Sequence, residues 1–228
     1  MSTKVLYIII FTIFASTSVA QNRMLKKFPE GYTPEEVGIK VANRFLSGKH
    51  MLHGGKWIHY AEVCTWYGAV RFASESKNKE LSRQLQERFD YLCTAERDLL
   101  PIKNHVDLNM IGCLPLELYQ ITKKIQYLDL GISYADTQWE LPAEASAEEK
   151  RWADKGLSWQ TRLWIDDMYM ITILQSQAYR ATGNRKYIDR TARSMAVYLD
   201  ELQRPNGLFY HAPRSEEHTS ELQSLIRI

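Results

Sequence analysis

Two stretches of this chain repeat each other sixty residues apart, and that repeat restricts the fold more than any other feature. Asp107-Leu-Asn-Met110-Ile111 falls over Asp167-Met-Tyr-Met170-Ile171, and the same offset sets Tyr119, Thr122, Tyr127 and Asp129 over Tyr179, Thr182, Tyr187 and Asp189. A fainter copy sets Trp57-Ile58 over Trp164-Ile165, with Phe72 over Tyr179. Each unit reads as an apolar, aromatic helix, a short turn such as Thr182-Gly183-Asn184, and a more amphipathic return helix. The glycine suits the left-handed residue that ends many helices. One hairpin cannot bury its own apolar face, so hairpins must stack on neighbours, in an open solenoid or a closed toroid. Tetratricopeptide, ankyrin and HEAT-type units run about 33–47 residues, shorter than this offset. Bulky aromatics on the first helix of each pair, with variable spacing, favour a closed barrel whose inner helices line a cavity.

Helical patterns account for nearly all of the remaining chain. Thr33-Pro34-Glu35-Glu36 is a capping box with proline at the first helical position, and it opens a helix toward Leu46. Apolar spacing near 3.6 predicts helices over Trp57–Ala73, Lys79–Cys93, Asp107–Thr122, Gln126–Ala135, Trp164–Thr182 and Lys186–Gln203. Residues 138–155, with Pro142 and many small or charged side chains, read as a long loop with one polar helical turn. No β-hairpin signal stands out, so the expected class is all-α.

The ends read differently from the middle. Met-Ser-Thr-Lys4, an apolar run from Val5 to Ala15, and Ser18-Val19-Ala20 before Gln21 form a signal peptide, expected to be cleaved after Ala20. That run falls short of the roughly 20 apolar residues that a membrane span needs. Export to the periplasm or the medium is therefore expected, with no membrane association after cleavage. At the other end, Arg214-Ser-Glu-Glu-His-Thr-Ser-Glu-Leu-Gln-Ser224 matches one reading frame of a common sequencing adapter. Residues 214–228 are accordingly set aside as an artefactual tail, and the domain is taken as 21–213, stopping near Pro213 as a fragment. Formal net charge is +2 from 29 basic and 27 acidic residues, which gives no electrostatic case for nucleic acid or an anionic membrane. Cys64, Cys93 and Cys113 are odd in number and lack metal-ligand spacing, so buried free thiols are expected, one disulfide remaining open in an exported protein. The oligomeric state is not legible.

The candidate chemistry lies where helices begin. The stretch Thr161-Arg-Leu-Trp-Ile-Asp166-Asp-Met-Tyr-Met170 runs on through Tyr179-Arg-Ala-Thr-Gly-Asn-Arg-Lys-Tyr187 to Gly207-Leu-Phe-Tyr-His211. It puts a tryptophan two residues before a carboxylate, opens an aromatic helix, and ends about one hairpin later on a histidine. Asp166 and Asp167 are adjacent, so their side chains diverge by about 100° and cannot share one face. Asp107, in Asn104-His105-Val106-Asp107, occupies nearly the same place one hairpin earlier; the sixty-residue offset sets it over Asp167. Taken alone, each of these carboxylates reads equally well as a helix cap, and His211 as an ordinary loop histidine.

Taken together, these spaced elements resemble the unsaturated uronyl hydrolases, glycoside hydrolase families 88 and 105. The resemblance implies an (α/α)6 barrel of six hairpins, of which this chain supplies about the first half. It implies removal of the 4,5-unsaturated uronic acid that polysaccharide lyases leave on oligosaccharides, with rhamnogalacturonan or related pectin fragments the favoured substrates. It places the catalytic acid at Asp166 and the second carboxylate at Asp107. Trp164, His211 and His105 become substrate-binding residues, and Asp167 a helix-start residue. The implied route protonates C4 of the enol ether and adds water at C5, with no metal or cofactor. The sequence carries no phosphate loop, His-Glu zinc helix or Gly-x-Ser-x-Gly elbow. Two other readings are an epimerase or another sugar hydrolase on the same barrel, and a non-catalytic helical-repeat binding protein.

Overall fold

A computed structural model describes residues 27–213; the expected signal peptide and the 214–228 tail lie outside the described residues. The chain divides into two units, residues 1–44 and 45–228. In the first, helix α1 (Pro34–Leu46) begins as its capping box requires. The Thr33 amide donates to Glu36 Oε2 at 3.0 Å, and the Glu36 amide donates to Thr33 Oγ1 at 3.2 Å.

The second unit is built from helical hairpins. In chain order come strands β1 (Leu52–His53) and β2 (Trp57–Ile58), then helices α2 (Tyr60–Glu75), α3 (Lys79–Leu92), α4 (Val106–Asn109), α5 (Cys113–Thr122), α6 (Ile125–Thr137), α7 (Ala147–Asp154), α8 (Ile165–Thr182) and α9 (Arg185–Leu202). The pairs α2/α3, α5/α6 and α8/α9 are the hairpins, and α5 packs against both α2 and α8. First helices thus form one row, and their N-terminal ends share one end of it. The repeat has a physical counterpart in the closing turns. Lys123 and Gly183, sixty residues apart, are both left-handed, with φ of 59° and 70°. Each donates its amide back four residues, Lys123 to Tyr119 O at 2.9 Å and Gly183 to Tyr179 O at 2.7 Å. Thr122 and Thr182 each accept from the amide two residues on, at 3.3 and 3.1 Å.

Aromatic packing joins the rows. Trp66 on α2 is fully buried and meets Phe89 of α3 edge-on at 5.7 Å, and Phe89 meets Tyr127 of α6 in the same way at 5.9 Å. A buried carboxylate binds the first helices together: Glu117 of α5 accepts from Arg180 of α8 at 2.8 Å and lies 3.7 Å from Arg71 of α2. Two glycines let α5 and α6 approach. A Cβ on Gly131 would stand 2.4 Å from Leu116 Cγ, and one on Gly112 2.6 Å from Tyr134 Cβ.

Three expectations need correction. The helix expected from Trp57 begins at Tyr60, because Leu52–His53 and Trp57–Ile58 pair as a short antiparallel hairpin with Leu52 opposite Ile58. Gly54 and Gly55, at φ of 58° and 72°, supply the reversal, and this Gly-Gly turn is a hairpin signal that the helical periodicity masked. The helix expected over Asp107–Thr122 is broken into α4, a 3-10 turn at Met110–Gly112, and α5. Pro115 is the cause: it lacks an amide hydrogen and its ring crowds the carbonyl four residues back, at Ile111. Finally, the loop over 138–155 holds the eight-residue helix α7, capped reciprocally by Ser146 and Glu149 at 3.2 and 2.6 Å. Burial of Trp152 against Leu157, Leu163, Tyr198 and Leu202 anchors it. All three cysteines are free thiols, Cys64 exposed and Cys113 buried.

Candidate active site

The start of α8 is shaped by an unusual residue. Leu163 is left-handed at φ 58°, a conformation that costs a non-glycine residue about 1–2 kcal/mol, and burial of its side chain holds it there. This turn folds Arg162 back over the first turn of α8. The Arg162 amide donates to Asp167 Oδ2 at 3.2 Å, and its Nε lies 3.1 Å from both Asp167 oxygens. The terminal Nη2 bonds Asp167 Oδ1 as well and reaches Asp107 Oδ1 at 3.0 Å. One guanidinium therefore joins the carboxylates of α4 and α8. These are the two residues that the sixty-residue offset superposes.

The other sequence-nominated residues surround this bridge. His105 caps α4, its Nδ1 accepting from the Asp107 amide at 3.3 Å, and its Nε2 lies 3.4 Å from Arg162 Nη1. Trp164, 43% exposed, lies under the Arg162 guanidinium at 4.6 Å and beside the His211 ring at 5.6 Å. The His211 carbonyl accepts from the Ile165 amide at 2.8 Å, which holds the end of the α9 connection against the start of α8. Asp166 is half-buried; its Oδ1 is enclosed and accepts no hydrogen bond within the described residues. Asp167 is fully buried. The two neighbours thus differ sharply: Asp167 is committed to Arg162, and Asp166 keeps one enclosed oxygen that no described residue satisfies.

Charge follows from this geometry. Burial pushes the Asp167 carboxyl above the ordinary aspartate range, and Arg162 draws it part of the way back. Burial works against the charge on Arg162, but Asp167, Asp107 and Asp166 more than restore it. Burial also depresses the His105 imidazole, with Asp107 opposing, which favours a neutral ring beside the guanidinium.

Arg162, His105 and Trp164 line one cleft of about 380 Å³, with Gln160, Trp159 and Glu149 among its other walls. Asp107 and Asp166 are not on that wall; Arg162, which is, holds Asp107 and Asp167. A groove of about 450 Å³ elsewhere, lined by Lys77, Lys79, Arg83 and Leu118 among others, has no carboxylate on its walls and offers nothing for acid–base work. Among the described residues no group of three or more His, Cys, Asp or Glu is placed to hold a metal ion. No helix of the described residues is long and apolar enough to cross a membrane.

The family model described as Glycosyl Hydrolase Family 88 matches residues 34–223, which include every residue of this site. The chain belongs to glycosyl hydrolase family 88. That family is built on an α/α barrel, in keeping with the all-α hairpins of this member. Family 88 hydrolases act on oligosaccharides bearing unsaturated uronic acid. The match ends inside the 214–228 stretch, beyond the described residues. No curated protein and no solved structure gave a match to this chain.

Arg162 is the residue of this candidate site that sequence reasoning missed. A signal was present: an arginine four residues ahead of paired aspartates, in Arg162-Leu-Trp-Ile-Asp166-Asp167, can fold back on them if the chain turns sharply between. The turn falls at Leu163, and nothing in a leucine advertises a left-handed backbone.

Proposed function

We propose that this family 88 hydrolase removes a 4,5-unsaturated galacturonyl residue from rhamnogalacturonan or related pectin oligosaccharides after export, with Asp166 as the acid and Asp107 as the second carboxylate. The observation that carries this reading is the meeting of α4 and α8 at Arg162, beside a cleft walled by Trp164 and His105. In this reading one sugar ring reaches both Asp166 and Asp107, which then divide proton donation and water activation between them.

Asp166 donates its proton to C4 of the enol ether, and positive charge develops at C5, shared with the ring oxygen. Water adds at C5 and returns a proton to the carboxylate, which restores the acid. The resulting hemiketal opens at the bond between C5 and the ring oxygen, leaving a ketone at C5. The hemiacetal then exposed at C1 collapses to an aldehyde and expels the remaining sugar as an alcohol. The glycosidic oxygen is never protonated by the enzyme, in contrast to the usual two-carboxylate scheme. Trp164 offers a ring face for the sugar, and His211 and His105 offer hydrogen bonds at its edges.

The test incubates the full chain with unsaturated galacturonyl-rhamnose and follows the double-bond absorbance. Asp166→Asn should lower the rate by ~10²–10⁴-fold, as expected for loss of a general acid. A loss smaller than tenfold reassigns Asp166 to binding, and no consumption by the unaltered chain rejects the proposed activity.

A further inference from the structure

We infer that Arg162 is the positioning residue of this site: it ties the first turn of α4 to the first turn of α8 and so fixes the spacing across which the proposed carboxylates act. The inference rests on the functional reading above for its catalytic consequence, but the tie itself stands on geometry. Arg162 bonds Asp167 through its amide, Nε and Nη2, and Asp107 through the same Nη2, while its face covers Trp164. No other basic side chain is paired with Asp107 or Asp167 among the described residues except His105, 3.6 Å from Asp107 Oδ2. A planar fork can serve two carboxylates and a ring face at once, whereas a lysine ammonium is a point charge on a flexible stem. Two further features hold the fork still: the left-handed Leu163 next to it, and burial that leaves the Arg162 side chain 28% exposed.

The charged and titratable groups around the bridge are few. His105 and Asp107 come from α4 and Asp166 and Asp167 from α8. His53 of β1 acts on His105, and Tyr198 of α9 feels both Asp167 and Arg162. Of these, Asp167 is buried most completely beside Arg162, so its titration reports the α8 half of the tie.

The rival account makes Arg162 a partner that only neutralises buried Asp167. Arg162→Gln and Arg162→Gln/Asp167→Asn separate the two in the full chain, with Arg162→Lys as the variant that keeps the charge. Arg162→Gln should move the Asp167 carboxyl, followed by carbon-13 NMR, upward by ~1–3 pH units. The double variant should recover the thermal stability lost in the single one, yet keep kcat down on the order of 10²-fold with KM nearly unchanged, because Asp107 remains untied. Arg162→Lys should fold normally and show the same split between kcat and KM. Recovery of kcat together with stability in the double variant overturns the positioning role. If the unaltered chain leaves the unsaturated disaccharide intact, the functional reading fails and the tie is judged by stability: Asp107→Asn should cost much less in the Arg162→Gln background than in the unaltered chain, and equal costs in both backgrounds overturn it.

Discussion

Glu62→Gln removes the charge on which a second buried network converges. Glu62 is 5% exposed and accepts from the Met51 amide at 2.5 Å, from His50 Nδ1 at 2.6 Å and from Arg88 Nη2 at 3.2 Å. Arg88 in turn donates to the carbonyls of Leu46 and Gly48 at 3.2 and 3.0 Å, and it lies over the Phe45 ring at 4.7 Å. Taking away one partner of a buried ion pair costs about 3–5 kcal/mol, because the other charge stays buried without compensation. Arg88 keeps its two carbonyls, so the lower end applies, about 3 kcal/mol. For a domain of this size each kcal/mol moves Tm by about 2–4 °C, and the expected fall is about 6–12 °C. The pH dependence carries a sharper signature. Burial pulls the Glu62 carboxyl upward, but His50, the Met51 amide and Arg88 outweigh it and hold the group below its ordinary 4.5. Its contribution is therefore present above pH 4.5 and is lost as pH falls through the depressed value. The hydrogen bond to Glu62 raises His50 above 6.5 against the effect of burial, so its contribution is full below pH 6.5 and fades as pH rises through the elevated value. The Tm difference between the native chain and Glu62→Gln, read by circular dichroism across pH, should be largest between those two values. A difference under about 2 °C near pH 5.5, or one that does not vary with pH, refutes the reasoning.

Three further outcomes follow from features described above. Gly131→Ala should destabilise the chain by about 1–3 kcal/mol in urea melts, since the new methyl meets Leu116 Cγ at 2.4 Å and the Gly112 carbonyl at 2.9 Å; a neutral result means that α5 and α6 can part freely. Ser146→Ala should cost about 0.5–2 kcal/mol and speed amide exchange in α7 before any other helix, because it removes the capping oxygen for the Glu149 amide. Asp167→Asn should lower stability by about 3–5 kcal/mol, leaving Arg162 half-buried beside a neutral amide, whereas Asp166→Asn should leave the melting curve nearly unchanged; equal effects on stability would show that both carboxylates are structural.

The hairpin architecture was legible because three independent signals agreed: spacing near 3.6, the capping box at Thr33 with the helix-ending glycine at Gly183, and the sixty-residue repeat. What escaped has local physical causes. The break before α5 depends on a proline whose effect falls four residues upstream, where the periodicity continues undisturbed. The short β-hairpin depends on two glycines just ahead of Trp57, and its second strand, Trp57–Ile58, falls in the run that also satisfies helical spacing. Helix α7 is polar on most of its surface, and only Trp152 and the Ser146-x-x-Glu149 cap tell it from a solvated loop. In the site, residue types and helix starts marked Asp107, Asp166 and Asp167, because carboxylates favour that place for electrostatic reasons. The resemblance separated Asp166 from Asp167, but the bridge from Asp167 to Asp107 was not legible, since it follows from the backbone at Leu163 and the reach of Arg162. Both are properties of the folded chain.

The interruption between α4 and α5 sets the turn that carries Asp107 apart from the axis of the helix that follows it. Asp107 sits on one turn of helix, joined to α5 by a 3-10 turn, while residues 113–118 of α5 are wholly buried in the row of first helices. In a continuous helix the axis of α5 would dictate where the carboxylate points. Here Leu108, Asn109, Met110 and Ile111 are buried as deeply as α5, so the break redirects the carboxylate without loosening it. The aim of Asp107 is thus set by one proline and a single turn of chain, and not by the long axis of the helix that follows.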